Sequence, residues 1–155
     1  MQIVTVEGGA ALEQVRALFE EYWASFGFTP CFQNFGSEVA LLPGDYAAPG
    51  GRLAMALVDG EPAACIALRR FDETRCEAKR LYVRPKFRGR GLGRTLMQWV
   101  IAEARAAGYA EVVGDTMPVM SQALEMYDRM GFERTGPYSD KPTEGAIYLR
   151  LPLRA

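Results

Sequence analysis

One short run of the chain combines the residue types that bind phosphate. Three glycines occupy alternate positions, Gly89, Gly91 and Gly93. Basic residues surround them, namely Arg84, Lys86, Arg88, Arg90 and Arg94. Glycine permits positive φ and close approach of the backbone to a ligand. The first N–H groups of a helix lack an intrahelical partner and lie at the positive end of its dipole. The run therefore predicts an anion site whose ligand is a phosphate or pyrophosphate.

Two common phosphate-binding motifs do not fit this run. In a P-loop the last glycine precedes lysine and then serine or threonine, whereas Gly93 precedes an arginine. The dinucleotide fingerprint Gly-x-Gly-x-x-Gly lacks its third glycine in either frame, although Asp115 stands where a ribose-binding acid could follow. The pattern that is present is Arg88-x-x-Gly91-x-Gly93, between a predicted strand and an amphipathic helix.

This pattern resembles the acyl-CoA pyrophosphate loop of the GNAT superfamily of N-acetyltransferases. A second segment, residues 123–132, carries Tyr127 shortly before Gly-Phe and resembles a later helix of that family. The resemblance extends from the strand near Leu53 to Leu151. Two motifs in the right order, about 35 residues apart, are far more specific than either alone.

The resemblance also implies which residues hold acetyl-CoA as the co-substrate. The loop would bind the pyrophosphate through backbone amides and added arginine charge, and its residues are Arg88, Gly89, Arg90, Gly91, Leu92, Gly93, Arg94 and Thr95. The strand before the loop contributes Leu81, Tyr82 and Val83. The main chains of Leu81 and Val83 would pair with the pantetheine arm, as an added strand does.

Two residues are implied to act in catalysis. Tyr127 matches the family's helix tyrosine, whose hydroxyl protonates the departing CoA thiolate; the reference pKa values are ~10 for the phenol and ~8.5 for a thiol. Glu77 aligns with a position that some family members use for a general base, because an amine must lose a proton before it attacks. Each has a structural alternative: Tyr127 as a core residue of an amphipathic helix, and Glu77 as a surface or salt-bridged glutamate, with water as the base.

Period-two alternation on the strand before the loop predicts its two faces. Glu77, Lys79, Leu81 and Val83 would share one face, and Cys76, Ala78, Arg80 and Tyr82 the other. Lys79 and Arg80 predict either edge charges or a patch for a carboxylate on the acceptor. Acidic loop residues indicate a cationic acceptor equally well, namely Asp45, Asp140 and Glu144. Tyr46 and Tyr138 also lie in predicted loops and are candidates to contact the acceptor.

Composition bounds the remaining possibilities. A chain of 155 residues with a net charge of −1 predicts a single domain, 1–155, that is not built for nucleic acid. The absence of histidine excludes His-based triads and most catalytic metal sites. The cysteines, Cys31, Cys65 and Cys76, form no Cys-x-x-Cys, so we expect no metal and reduced thiols in a cytoplasmic protein. The sequence shows no signal peptide and no long apolar run, so we expect no membrane span.

Hydrophobic periodicity predicts the element order β-α-α-β-β-β-α-β-α-β-β. Asp59-Gly60 predicts a hairpin turn, and the periodicity places the second helix over Phe32–Leu42 and the motif helix over about Met120–Met130. The order predicts an α/β (α+β) fold, a mixed β-sheet with helices on both faces and a central strand-helix-strand unit. The resemblance implies that this sheet is GNAT-like and that its central unit binds acyl-CoA. Exposed edge strands make a homodimer a further expectation.

These features predict a GNAT-like enzyme that moves acetyl from acetyl-CoA to a primary amine of a small molecule or peptide. Attack would be direct, in a ternary complex, because none of the cysteines lies in either motif. An alternative is a non-catalytic acyl-CoA-binding or sensing module of the same fold. A third hypothesis is nucleic-acid binding through the basic run, which the balanced charge of the rest of the chain disfavours.

Overall fold

The computed structural model describes residues 1–28, 34–117, 121–139 and 144–153, with residues 121 and 122 described by their backbone alone. The strands are β1 (Gln2–Thr5), β2 (Arg52–Val58), β3 (Glu61–Arg70), β4 (Arg75–Val83), β5 (Glu111–Thr116), β6 (Glu133–Thr135) and β7 (Ile147–Pro152). The α-helices are α1 (Gly9–Ser25), α2 (Phe35–Ala40), α3 (Leu92–Ala106) and α4 (Ser121–Arg129). Short 3₁₀ turns cover Gly44–Tyr46 and Pro85–Phe87. The predicted order is confirmed for these ranges, whereas Cys31, Phe32, Met120 and Asp140 lie outside the described residues.

One mixed sheet joins the seven described strands in the order β1-β2-β3-β4-β5-β7-β6. The first four strands are antiparallel neighbours, and the predicted hairpin turn joins β2 to β3 with positive φ at both Asp59 and Gly60. β4 and β5 are parallel and are connected through α3, which is the predicted strand-helix-strand unit. The mixed sheet predicted from the sequence is therefore confirmed.

Helices cover both faces of this sheet, as predicted. On one face the buried side of α1 packs against β2 and β3, with Val15, Leu18, Phe19, Leu53, Met55 and Ala67 in one apolar cluster. On the other face α3 packs through residues spaced three and four apart, with Leu96, Met97, Val100 and Ala104 against Ile66 and Leu68. α4 adds Leu124 and Met126 to this second cluster. Burial of these apolar faces holds the sheet between the helices.

A bulge in β4 changes which residues face which helix. Cys65 pairs with Tyr82 but Ala67 pairs with Lys79, so β4 uses three steps where β3 uses two. Arg80 occupies the extra position with φ +60, the left-handed region that non-glycine residues rarely adopt. A single inserted residue reverses the alternation of side chains beyond it.

The alternation predicted for β4 is therefore wrong. Leu81 and Val83 pack on the α3 face together with Ala78, while Tyr82 packs on the α1 face. Lys79 pairs with Ala67, a residue of the α1 cluster, and so shares that face with Tyr82.

Among the helices of the described residues, none combines the length and the apolarity needed to cross a membrane.

Candidate active site

The parallel strands at the centre of the sheet separate beyond their first residues. β4 pairs with β5 only where Arg75–Glu77 meets Glu111–Val113, just before the bulge. The Arg84 N–H donates to the Ala63 carbonyl on β3, with 2.9 Å between nitrogen and oxygen. Because backbone groups of successive residues point to opposite edges of a strand, those of Leu81 and Val83 point away from β3, into the gap. An extended ligand can add to β4 there.

The predicted anion loop closes one end of this gap. Gly89 and Gly91 have φ values of +81 and +76, which few other residues tolerate. Gly91 is the N-cap of α3, and because glycine has no capping side chain, the first N–H groups of the helix are left for a ligand. The Thr95 hydroxyl donates to the Gly91 carbonyl at 2.9 Å and ties the first turn to the loop. This geometry suits a bound pyrophosphate.

A cavity of about 640 Å³ joins the loop, the open edge of β4 and α4. Most of the predicted acetyl-CoA residues line it, namely Leu81, Tyr82, Val83, Arg88, Gly89, Gly91, Leu92, Gly93 and Arg94. Two predicted residues lie outside the lining. The Arg90 guanidinium lies 5.6 Å from the centre of the Phe87 ring, and Thr95 makes the bond to Gly91 described above.

The arginines and lysine of the basic run have different environments. Arg84 is paired with Glu21 of α1, and Lys86 with Glu61 of β3 at 3.0 Å. Arg88 Nε donates to the Val83 carbonyl at 3.1 Å, one of the groups that face the gap. Arg88 and Arg94 both line the cavity and are placed to meet an anion at the loop.

Tyr127 lies in the wall of the same cavity, on α4. The centre of its ring lies 5.3 Å from the centre of the Phe132 ring. Burial raises the pKa of Tyr127 well above its usual value, and the nearby Tyr22 and Asp115 raise it further. The phenol therefore stays protonated at neutral pH and can act as a hydrogen-bond donor in the cavity.

Glu77 is buried in a different setting. Its carboxylate accepts hydrogen bonds from Arg69 at 2.8 Å and from the Tyr138 hydroxyl at 2.6 Å, and the Lys79 amine lies 3.9 Å away. Burial alone would raise the pKa of Glu77, but the charges of Lys79 and Arg69 and these hydrogen bonds hold it below its ordinary value. Glu77 is 4% exposed and is not part of the cavity lining.

Arg80, predicted as an edge charge or as part of a carboxylate-binding patch, is buried in an ion pair with Glu38. Arg80 donates two hydrogen bonds to Glu38 of α2, at 2.8 and 2.9 Å. Its guanidinium also lies 4.5 Å from the Trp23 ring centre and 5.2 Å from that of Phe35. This ion pair fixes the bulge to α1 and α2. Tyr46, a predicted loop residue and a candidate to contact the acceptor, is 2% exposed in the apolar cluster with Trp23 and Phe35 and is not part of the cavity lining, so that prediction is wrong.

Four aromatic residues at and just after the end of α1 also line the cavity, namely Tyr22, Trp23, Phe26 and Phe28. Their spacing predicts mostly core residues, with a few in the wall of an acceptor pocket, and all four are part of the cavity lining. Asp115 also lines the cavity, although its position in the sequence fitted only a dinucleotide motif that is otherwise absent.

Comparison with known proteins identifies the family. The acetyltransferase (GNAT) family profile matches residues 12–132. An uncharacterized N-acetyltransferase of Schizosaccharomyces pombe is 35% identical over 144 residues, covering 92% of this chain and 88% of that protein. An acetyltransferase structure from Streptococcus agalactiae has a TM-score of 0.83 at 21% identity, covering 98% of each chain. A Salmonella typhimurium protein solved with its cofactor acetyl-CoA has a TM-score of 0.74 at 18% identity, covering 100% of this chain and 95% of that one. These two structures show a shared fold, and the profile and the yeast relative show that the chain is an acyltransferase belonging to the GNAT family.

Proposed function

We propose that this enzyme transfers the acetyl group of acetyl-CoA to a primary amine of a small molecule or peptide, by direct attack in a ternary complex. The observation that carries the proposal is that one cavity joins the predicted anion-binding loop, the open edge of β4 and Tyr127. A donor with a charged end and an extended arm fits the first two parts. The aromatic part of the lining is proposed to hold the acceptor.

Donor binding is assigned to backbone groups and two arginines. The amides at the start of α3 hold the pyrophosphate, and Arg88 and Arg94 add positive charge. Leu81 and Val83 hold the arm through main-chain hydrogen bonds. Arg88 must then give up its bond to the Val83 carbonyl in favour of the phosphate.

The chemistry requires one proton to leave the amine and one to reach the sulfur. The amine nitrogen bonds to the acetyl carbon, the carbon–sulfur bond breaks, and Tyr127 donates its proton to the departing thiolate. The phenol is protonated at neutral pH and is available as a donor when negative charge develops on the sulfur. The proton acceptors predicted from the sequence are Glu77 and water. Since Glu77 is not part of the cavity lining, it would act through an intervening water.

The test uses the wild-type protein, acetyl-CoA and a panel of primary amines. We expect acetyl-CoA to bind in calorimetry, and we expect free thiol release to depend on the amine, with the acetylated amine detected by mass spectrometry. Binding of acetyl-CoA without amine-dependent thiol release would contradict the proposal and favour the sensing module.

A further inference from the structure

The carboxylates near the cavity differ in their position relative to its lining and in their exposure to solvent. Glu77 is bound by Arg69 and Tyr138 and lies outside the lining. Within the described residues, two carboxylates belong to the lining, Asp115 and Glu125. Glu125 is exposed on α4, whereas the side chain of Asp115 is 14% exposed. A charge attracts an ammonium more strongly when it is shielded from water, so Asp115 is the better placed of the two.

The position of Asp115 follows from the separation of β4 and β5. Asp115 lies two residues after Val113, the last residue of β5 that pairs with β4, and its backbone is held by the pairing with Tyr148 of β7. The Lys79 amine lies 3.5 Å from its carboxylate. Asp115 and Tyr127 line the same cavity and also a small neighbouring pocket, so Asp115 lies near the tyrosine that the proposed function places at the sulfur.

The charged side chains around Lys79, Arg80 and Asp115, which line the cavity, are equal in number of cations and carboxylates. Three cations, Arg69, Lys79 and Arg80, meet three carboxylates, Glu38, Glu77 and Asp115. Arg80 makes two short hydrogen bonds to Glu38, and Lys79 lies between Glu77 and Asp115. A carboxylate on the acceptor would compete with Glu38 for Arg80, which is unfavourable in a largely buried site. An ammonium on the acceptor would instead share Asp115 with Lys79, whose amine lies at the longer distance of 3.5 Å.

Part of the cavity wall is made of aromatic rings. Tyr22 and Phe26 pack with their ring centres 5.5 Å apart, Trp23 and Phe28 at 4.9 Å, and Phe26 and Phe28 at 5.6 Å. Rings in such a wall bury an apolar or aromatic body.

We propose that the acceptor is an amine on an apolar, aryl-sized body without a carboxylate, and that Asp115 is the catalytic carboxylate that receives its ammonium and takes its proton. The proposal rests on the proposed acetyl transfer and names the substrate class of the same site. The titratable groups that interact with Asp115 include Lys79 of β4, Tyr22 of α1, Tyr127 of α4 and Tyr138. The Asp115 carboxylate takes one proton from the ammonium, and the neutral amine attacks the acetyl carbon. The carbon–sulfur bond breaks as Tyr127 protonates the thiolate, and the second proton on nitrogen passes through water to the Tyr127 phenolate, which leaves the neutral amide.

The first test compares acceptors on the wild-type protein, so it does not depend on a variant that folds. We expect kcat/KM for phenethylamine to exceed that for L-phenylalanine, which adds only a carboxylate, by tenfold or more. We expect a similar advantage over ethanolamine, which lacks the apolar body. Equal or better use of phenylalanine or ethanolamine would overturn the substrate class. If none of the amines is acetylated although acetyl-CoA binds, the proposed function itself fails.

The second test compares carboxylate variants with phenethylamine as the acceptor. Asp115→Asn should lower kcat/KM by about 10²-fold, while the calorimetric affinity for acetyl-CoA changes less than about twofold. Asp128→Asn is the matched control, because Asp128 is exposed on α4 and its partner is Arg134 at 3.7 Å. Glu77→Gln separates the two candidate bases. An Asp115 variant as active as the Asp128 variant, with Glu77→Gln inactive, would overturn the assignment.

Discussion

Replacing Tyr127 by phenylalanine separates chemistry from folding, because it removes one buried oxygen and leaves the ring. The centre of the ring lies 5.3 Å from the centre of the Phe132 ring, and the ring packs against the apolar cluster between α3 and the sheet. That packing survives in the variant, so the free energy of unfolding should change by about 1 kcal/mol or less. The donor to the departing sulfur is lost.

The expected loss of turnover follows from the role of that donor. Removing a positioned general acid lowers kcat by about 10²- to 10⁴-fold, which corresponds to about 3–5 kcal/mol of transition-state stabilisation. The affinity for acetyl-CoA should stay near the wild-type value, since its proposed contacts lie at the α3 loop and on β4.

The assay measures kcat by free thiol release at saturating amine, with calorimetry for acetyl-CoA and a thermal melt on the same samples. Tyr109→Phe is the matched control, because the Tyr109 hydroxyl donates to the Gly50 carbonyl at 2.6 Å and is not part of the cavity lining. It should lower the melting temperature but keep turnover. A Tyr127→Phe variant with normal kcat and a lowered melting temperature would show that Tyr127 is only a core residue.

Three other predictions concern the loop and the buried ion pair. Gly91→Val should weaken acetyl-CoA binding by more than about tenfold, because a β-branched residue resists a φ of +76. Equal calorimetric affinities for the variant and the wild-type protein would exclude the loop as the pyrophosphate site. Acetyl-CoA affinity should fall as salt rises, and duplex DNA should bind far more weakly; submicromolar DNA binding in 0.15 M salt would contradict this. Burial alone would raise the pKa of Glu38, but the Arg80 hydrogen bond and the charges of Arg80 and Lys79 hold it below its ordinary value. The free energy of unfolding should therefore fall as pH drops below about 4.5, and Glu38→Gln, which leaves Arg80 buried without its ion-pair partner, should lose about 3–5 kcal/mol at pH 7 and flatten that dependence. If chemical denaturation shows that Glu38→Gln loses unfolding free energy at acid pH as steeply as the wild-type protein does, this reasoning is contradicted.

The sequence predicted those parts of the site that are determined locally. Gly89 and Gly91 adopt the positive φ values that their residue type permits, and the spacing of Leu96 and Val100 follows the buried face of α3. The hairpin at Asp59-Gly60 is equally local.

Features that depend on distant partners were not predicted. Arg80 is neither glycine nor asparagine, so nothing in its neighbourhood indicated a left-handed residue; its conformation accompanies a register shift against β3 and contacts with α1 and α2. The same bulge reversed the expected faces of Leu81 and Val83. Asp115 could not be placed in the cavity from sequence alone, because its exposure there depends on where β4 and β5 separate.

The left-handed Arg80 also links two parts of the molecule thermodynamically. A non-glycine residue in this region carries about 1–3 kcal/mol of backbone strain, which surrounding contacts must offset. Here the offsetting contacts come from Glu38 on α2 and Trp23 on α1, while the bulge they hold lies beside the gap between β4 and β5. Any ligand that requires the open gap should therefore slow amide hydrogen exchange in α2, and loosening of α2 should weaken that ligand by the same coupling free energy.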